Sequence, residues 1–228
     1  MPEPSPAPDA LHAVVVANGA FHHPERHMAV VRAADLVIAA DGGANWLHAR
    51  GLGAHLLVGD LDSITPEAQA ALVAGGCRVL EHPRRKDETD TELALLEAVA
   101  RGARRITLIG ASGNRIDHTL GNILLLAMPA LEGIQTTIYD GHSYLRLVRR
   151  EATVRGRAGD VVSLLPIGGD AQGVTTEGLE YPLRGETLRM GPARGISNVL
   201  AGREGRVAVA QGCLLMVHVP REHLEEAT

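Results

Sequence analysis

The chain reads as an α/β N-terminal domain with a mainly parallel sheet, followed by a smaller all-β sandwich domain, and three observations lead to that expectation. Short apolar runs alternate with helix-length segments from residue 11 to residue 140, which is the rhythm of βαβ units. Helix-start signals fall between the runs. After Asp140 the helix-length segments vanish and short strand-like runs recur between glycines and prolines, the spacing of a small antiparallel sandwich.

Taken in order, Leu11 to Ala17, Asp35 to Ala40, His55 to Val58, Cys77 to Leu80, Arg105 to Ile109 and Thr136 to Tyr139 are the expected strands of the first domain. Thr65-Pro66-Glu67 opens a helix, with a cap residue before proline at the first helical position. Thr89 opens another, because its spacing to Glu92 is that of a capping box and Leu93, Leu96 and Ala100 follow. Right-handed crossovers between such strands give a parallel sheet covered by helices. Beyond Asp140 the expected strands are Tyr144 to Val148, Val161 to Leu165, Thr187 to Met190, Arg206 to Ala210 and Leu214 to Val219. The resulting division is a disordered leader over 1–10, an α/β domain over 11–140 and a β-sandwich over 141–228.

Composition narrows the class. The 228 residues are 45% hydrophobic and 21% charged, the balance of a soluble globular protein. A net charge of -5, scattered arginines and 2% aromatics argue against a nucleic-acid surface. The proline-rich start lacks the regions of a signal peptide and no apolar run approaches the ~18 residues of a membrane span, so a cytoplasmic protein is expected. Cys77 and Cys213 lie in apolar stretches without CxxC spacing and read as reduced thiols.

In an open α/β sheet, ligands bind at the carboxyl ends of the strands. The residues following the expected strands are Asn18-Gly19, Asp41-Gly42-Gly43-Ala44-Asn45, Gly59-Asp60-Leu61-Asp62-Ser63, the segment beginning at Lys86, and Gly110-Ala111-Ser112-Gly113-Asn114-Arg115. All are glycine-rich or charged. Lys86 is the single lysine of a chain that otherwise uses arginine, and a compact ammonium suits a phosphate. Asp60 and Asp62 have the spacing to share a hydrated Mg²⁺, and equally the spacing of an Asx-turn before the Thr65 helix. Asp90 sits in a first helical turn, where an acid suits the helix dipole with or without a metal. Backbone amides after the fifth strand, with Arg115, can cradle phosphate, and Asp117 can orient Arg115 or hold a ribose hydroxyl. Walker A, GxGxxG, zinc-cluster and GxSxG patterns are all missing from the sequence, which removes P-loop, dinucleotide, zinc-enzyme and serine-hydrolase readings.

The ordered set Asp41-Gly42-Gly43-Ala44-Asn45, Gly59-Asp60-Leu61-Asp62-Ser63, Lys86-Asp87-Glu88-Thr89-Asp90-Thr91-Glu92, Arg115-Ile116-Asp117-His118 and Gly195-Ile196-Ser197-Asn198 resembles that of the thiamine pyrophosphokinases, from about residue 12 to 220. The resemblance implies transfer of the terminal pyrophosphoryl group of ATP to the hydroxyethyl oxygen of thiamine, with Mg²⁺, giving thiamine diphosphate and AMP. It implies Asp60, Asp62 and Asp90 as the catalytic, metal-holding acids. Asn18, Asp41, Ser63, Lys86, Thr89, Arg115, Asp117 and His118 then become the candidate nucleotide contacts, while Ser197, Asn198 and Tyr181 become the candidate thiamine contacts, Tyr181 standing where the family often has tryptophan. It further implies a homodimer with active sites where two chains meet, and no nucleic-acid or membrane partner. Two other readings remain at this level: a pyrophosphokinase for another hydroxymethyl heterocycle such as a pterin, and a non-catalytic nucleotide-binding module.

Overall fold

The computed structural model of the chain describes residues 10–225. It divides into two compact units, one ending at Gly141 and one beginning at His142. The leader expected over residues 1–10 lies, apart from Ala10, outside the described residues.

The first unit is a six-stranded parallel sheet. Its strands are β1 (His12–Val16), β2 (Leu36–Ala40), β3 (Leu56–Gly59), β4 (Arg78–Glu81), β5 (Arg105–Ile109) and β6 (Gln135–Tyr139), in the spatial order β4-β3-β2-β1-β5-β6. All five residues of β1 and of β2 are buried, as strands covered on both faces must be, which is why they read as unbroken apolar runs rather than alternating ones. Each buried valine or isoleucine here contributes about 1.5–3 kcal/mol from the water its side chain leaves. The crossovers carry α1 (Pro24–Arg32), α2 (Gly43–His48), α3 (Pro66–Ala74), α4 (Asp90–Ala100) and α5 (Ile116–Leu125). Thr65 caps α3 by accepting from the Ala68 amide at 3.2 Å, and Thr89 caps α4 by accepting from the Glu92 amide at 3.1 Å. Each cap contributes about 1 kcal/mol.

Three of the chain's five aromatic residues gather in one cluster beside this sheet. Phe21 stacks on Trp46 with ring centroids 4.2 Å apart, and the His27 ring meets Phe21 and Tyr139 at 5.3 Å each. Trp46, with the Arg50 guanidinium 4.6 Å above its ring, is therefore packing, as its helical spacing suggests. His27 is fully buried and neither of its ring nitrogens makes a hydrogen bond. Burial lowers its pKa from 6.5, and the nearby Asp140 and His22 carbonyls offset only part of that.

The second unit is antiparallel. It contains β7 (Tyr144–Val148), β8 (Glu151–Arg155), β9 (Val161–Glu177), β10 (Arg184–Leu188), β11 (Asn198–Val199), β12 (Glu204–Ala208), β13 (Gln211–Val219) and a terminal α6 (Arg221–Glu225). The expected five-residue strand at Val161 runs instead for 17 residues. Its first half pairs β13 and β11, its second half pairs β12 and β10, and the change of partner sits at Gly168-Gly169, with φ of 76° and 148°. One strand thus serves both sheets, and glycines make the corner. Val154, Val162, Leu164, Val174, Leu188, Leu200, Val207, Leu214 and Met216 fill the core between them.

Asp160 ties the ends of this unit together. Its carboxylate accepts from the Arg157 and Arg221 amides, each at 3.0 Å, and from His218 Nε2 at 2.9 Å. Burial alone raises its pKa, but these donors outweigh that and hold it below the usual carboxylate range. His218 is accordingly structural. Cys77 is a buried free thiol pushed up by burial, and Cys213 is a free, half-buried one.

The buried His27 gives the first unit an acid sensitivity. Its folded pKa lies below 6.5, so between the two values the unfolded chain binds the extra proton, and stability that is complete above pH 6.5 is lost as pH falls below it. Denaturant titrations at pH 7.5 and 5.5 are expected to show lower stability at 5.5, and His27→Leu to flatten that difference; an unchanged pH slope in the variant contradicts the assignment.

Candidate functional site

The order β4-β3-β2-β1-β5-β6 places the topological switch at β1, which has β2 on one side and β5 on the other. Loops leaving neighbouring strands there diverge and open a crevice. A cleft of about 620 Å³ occupies that place. Residues following β1 (Asn18), β2 (Asp41), β3 (Ser63), β4 (Lys86, Thr89, Asp90) and β5 (Arg115), together with His118 on α5, line it. Asp117, beside them in sequence, does not.

Three carboxylates form the chemical centre. Asp41, Asp60 and Asp62 each offer an oxygen within 4.8 Å of the others. Asp41 is buried with φ of 41°, a left-handed conformation that only surrounding structure can enforce. Its amide is fixed to the Val58 carbonyl at 2.8 Å and its carbonyl starts α2 through the Ala44 amide at 3.0 Å. Its Oδ1 is buried without a hydrogen-bond partner. Burial raises the Asp41 pKa; the Ser63 hydroxyl and Gly42 amide work against the rise, while the charges of Asp90 and Asp60 add to it. Leu61, between the other two acids, is also left-handed at φ 62°. A side chain on Gly59 would lie 2.9 Å from Asp41 Cβ and 3.1 Å from the Asp90 carboxyl, so only glycine lets the acids of β2, β3 and α4 approach. Oxygen ligands from separate strands, an orphaned buried carboxylate oxygen and open room beside them fit a Mg²⁺ that retains waters and takes phosphate oxygens.

Asp90 lies against Gly59 but outside the three-acid group, with Lys86 Nζ 2.9 Å from its Oδ1. The Lys86 side chain is only 11% exposed and also donates to the Pro83 carbonyl at 3.3 Å. Arg84 meets Asp62 Oδ2 at 2.6 Å, and the Ser63 hydroxyl donates to Asp62 Oδ1 at 2.9 Å. Arg115 grips Asp117 through two hydrogen bonds, which hold that carboxyl below its usual range, so Asp117 orients Arg115 at the rim. The loop bearing Arg115 is fastened by Thr119, whose hydroxyl accepts from the Gly113 amide, and by Asn122, which donates to the Ala111 carbonyl at 2.8 Å.

Asn45 is the site residue for which the sequence offers no pattern beyond membership of the Asp41 motif. From α2 it donates to the Ser63 carbonyl at 2.8 Å and accepts from the Thr65 amide at 2.9 Å. Its amide therefore bolts the loop carrying Asp60 and Asp62 to the helix that follows Asp41. A polar residue in the first turn of a short helix opened by Gly-Gly is the only hint of this.

In the second unit, Ser197, Asn198 and Tyr181 adjoin. Asn198 is buried and its amide is spent on Tyr181, accepting from the Tyr181 amide at 3.1 Å and donating to its carbonyl at 2.7 Å. The residue expected to offer hydrogen bonds outward thus holds the backbone of an aromatic that is 66% exposed. Ser197 stands at φ 60°, its amide tied to Ser163 Oγ at 3.0 Å.

Known proteins share both units. Two domain models match, the thiamin pyrophosphokinase catalytic domain over residues 28–138 and the thiamin pyrophosphokinase vitamin B1 binding domain over 147–214. Thiamine pyrophosphokinase of Bacillus subtilis (strain 168) is 28% identical over 166 residues, 70% of this chain and 75% of that protein. Thiamine pyrophosphokinase 1 of Oryza sativa subsp. japonica is 26% identical over 235 residues, covering 90% and 87%. The crystal structure of the Bacillus subtilis thiamine pyrophosphokinase superposes with a TM-score of 0.80 at 26% identity, over 92% of this chain and 99% of that one. With the catalytic and vitamin-binding models matched in sequence order, one in each folded unit, the chain belongs to the thiamine pyrophosphokinase family.

Proposed function

We propose that the protein is a thiamine diphosphokinase, transferring the pyrophosphoryl group of ATP to the hydroxyethyl oxygen of thiamine and releasing AMP. The observation that carries this reading is the cleft at the switch point, where a buried acid with an unpartnered oxygen stands with Asp60 and Asp62 while Lys86, Arg84 and Arg115 line the same space or its rim. Asp41, Asp60 and Asp62 hold Mg²⁺, with Asp90 completing the acidic surround and seating Lys86. Bound there with ATP, the ion offsets charge that builds on the oxygen between the α and β phosphates. Lys86 and Arg115 offset charge on the nonbridging oxygens, and the glycine-rich loop before Arg115 lets backbone approach the phosphates closely. Asn18, Ser63, Thr89 and His118 border the nucleotide. No residue need form a covalent intermediate, since a held alcohol attacks the β phosphorus directly.

The thiamine aminopyrimidine is assigned to Ser197 and Tyr181, with Asn198 fixing Tyr181 in place. The family dimer is assigned to this chain because α5 carries an uncovered stripe: Ile116, Leu120 and Leu124, four residues apart, are 70%, 54% and 56% exposed. That stripe begins one residue after Arg115, so a partner seated on it borders the cleft. No helix among the described residues is long and apolar enough to cross a membrane. Cytoplasmic residence is proposed from the ATP requirement together with the two free thiols.

Incubation with ATP, Mg²⁺ and either thiamine or a hydroxymethylpterin tests the activity: AMP and thiamine diphosphate are expected with thiamine alone, and product only with the pterin refutes the assignment. Asp60→Asn is expected to lower kcat/KM by roughly a hundredfold or more with little change in melting temperature; full activity sinks the metal assignment. Asn45→Ala removes two hydrogen bonds and is expected to cost about 1–2 kcal/mol of stability together with roughly tenfold in activity, read by denaturant titration and steady-state rates. Sedimentation of wild type as a dimer and of Leu120→Arg as a monomer supports the α5 interface, which a dimeric variant contradicts.

A further inference from the structure

Arg84 lies in the turn between β4 and α4, two residues before Lys86, and lines the cleft. Its side chain is 78% exposed, and its guanidinium is 2.6 Å from Asp62 Oδ2. The other oxygen of Asp62 accepts from the Ser63 hydroxyl. Both oxygens of one acid of the three-carboxylate group are therefore engaged, one of them by a positive charge.

A divalent cation and the Arg84 guanidinium compete for Asp62, because two positive charges held on one exposed carboxylate repel each other and each weakens the other's hold on it. Ion pairs this exposed contribute little, so releasing Arg84 is easy. Lys86 differs: it is nearly buried, and a backbone carbonyl holds it beside Asp90. Once released, Arg84 stands at a cleft wall it already lines, and its planar fork suits two phosphate oxygens at once. We propose that Arg84 is a phosphate-binding residue of this cleft that occupies Asp62 until metal and nucleotide arrive, coupling the two: the metal frees Arg84, and the phosphates it then binds draw it away from the metal's ligand.

The inference rests on the reading of the cleft as a Mg²⁺–ATP site, and it makes two predictions of opposite sign for one surface variant. Without nucleotide, Arg84→Ala removes a competitor, so Mn²⁺ followed by electron paramagnetic resonance is expected to bind roughly two- to fivefold more tightly than to wild type. With Mg²⁺ present, α,β-methylene-ATP followed by calorimetry is expected to bind about tenfold more weakly, with a matching rise in the KM for ATP and none in that for thiamine. Arg84→Lys, keeping the charge without the fork, is expected to recover part of the nucleotide affinity. Wild-type protein that binds both probes, beside an Arg84→Ala protein with unchanged affinities, overturns this inference alone. Tighter Mn²⁺ binding with unchanged nucleotide affinity overturns the phosphate role. Wild type that binds neither probe overturns the cleft reading beneath it.

Discussion

Four carboxylates, Asp41, Asp60, Asp62 and Asp90, come from three loops to one corner of a parallel sheet, and like charges so placed repel. What holds them there is backbone. The Asp41 main chain is pinned to β3 and to the start of α2, Leu61 turns the next loop through a left-handed conformation, and Gly59 supplies the room a side chain would fill. The sheet's buried strands carry the cost of this strain, since β1 and β2 leave no side chain exposed to water. Part of the repulsion is relieved chemically: Lys86 meets Asp90, Arg84 meets Asp62, and Asp41, deepest of the set, has its pKa raised.

Much of this corner was legible in the sequence because parallel sheets impose it. Once the strands ending at Ala17, Ala40, Val58, Leu80 and Ile109 are recognised, whatever follows them must lie on one edge, and the acids, the lone lysine and the glycine-rich loop follow them. The caps at Thr65 and Thr89 were readable for a similar reason, as each satisfies a local donor three residues away. Long-range relations were not readable. Asn45 acts on a loop 18 residues on, Arg84 on an acid 22 residues back, and Asp41 joins Asp60 and Asp62 only through the β2–β3 pairing. The family resemblance sets Asp90 beside Asp60 and Asp62, whereas in the fold it is an Asp41 oxygen that lies within 4.8 Å of theirs.

The second unit was legible as antiparallel but not in its pairing. The strand expected to end at Leu165 instead turns a corner at Gly168-Gly169, where both glycines take positive φ, and continues in the other sheet, because β12 and β10 offer donors and acceptors to its second half. The same limit governs Asn198. The family resemblance makes Asn198 a group facing a ligand, whereas burial forces its amide to find partners, and the nearest are the backbone groups of Tyr181. The aromatic it steadies is left uncovered.

Every cation at the cleft already holds an acid: Lys86 holds Asp90, Arg84 holds Asp62 and Arg115 holds Asp117. A cleft full of free positive charge would attract any anion, and one of free carboxylates would attract any metal. Pairing them makes each partner a competitor for the other's ligand, so neither a bare metal nor a bare phosphate gains the full interaction. The three pairs differ in how readily they part, from the nearly buried Lys86 to the solvent-facing arginines, and screening by water weakens the outer two most. In the proposed Mg²⁺–ATP site, metal and phosphate arriving together would release both halves of the Arg84–Asp62 pair at once, which favours the metal–nucleotide complex over its components.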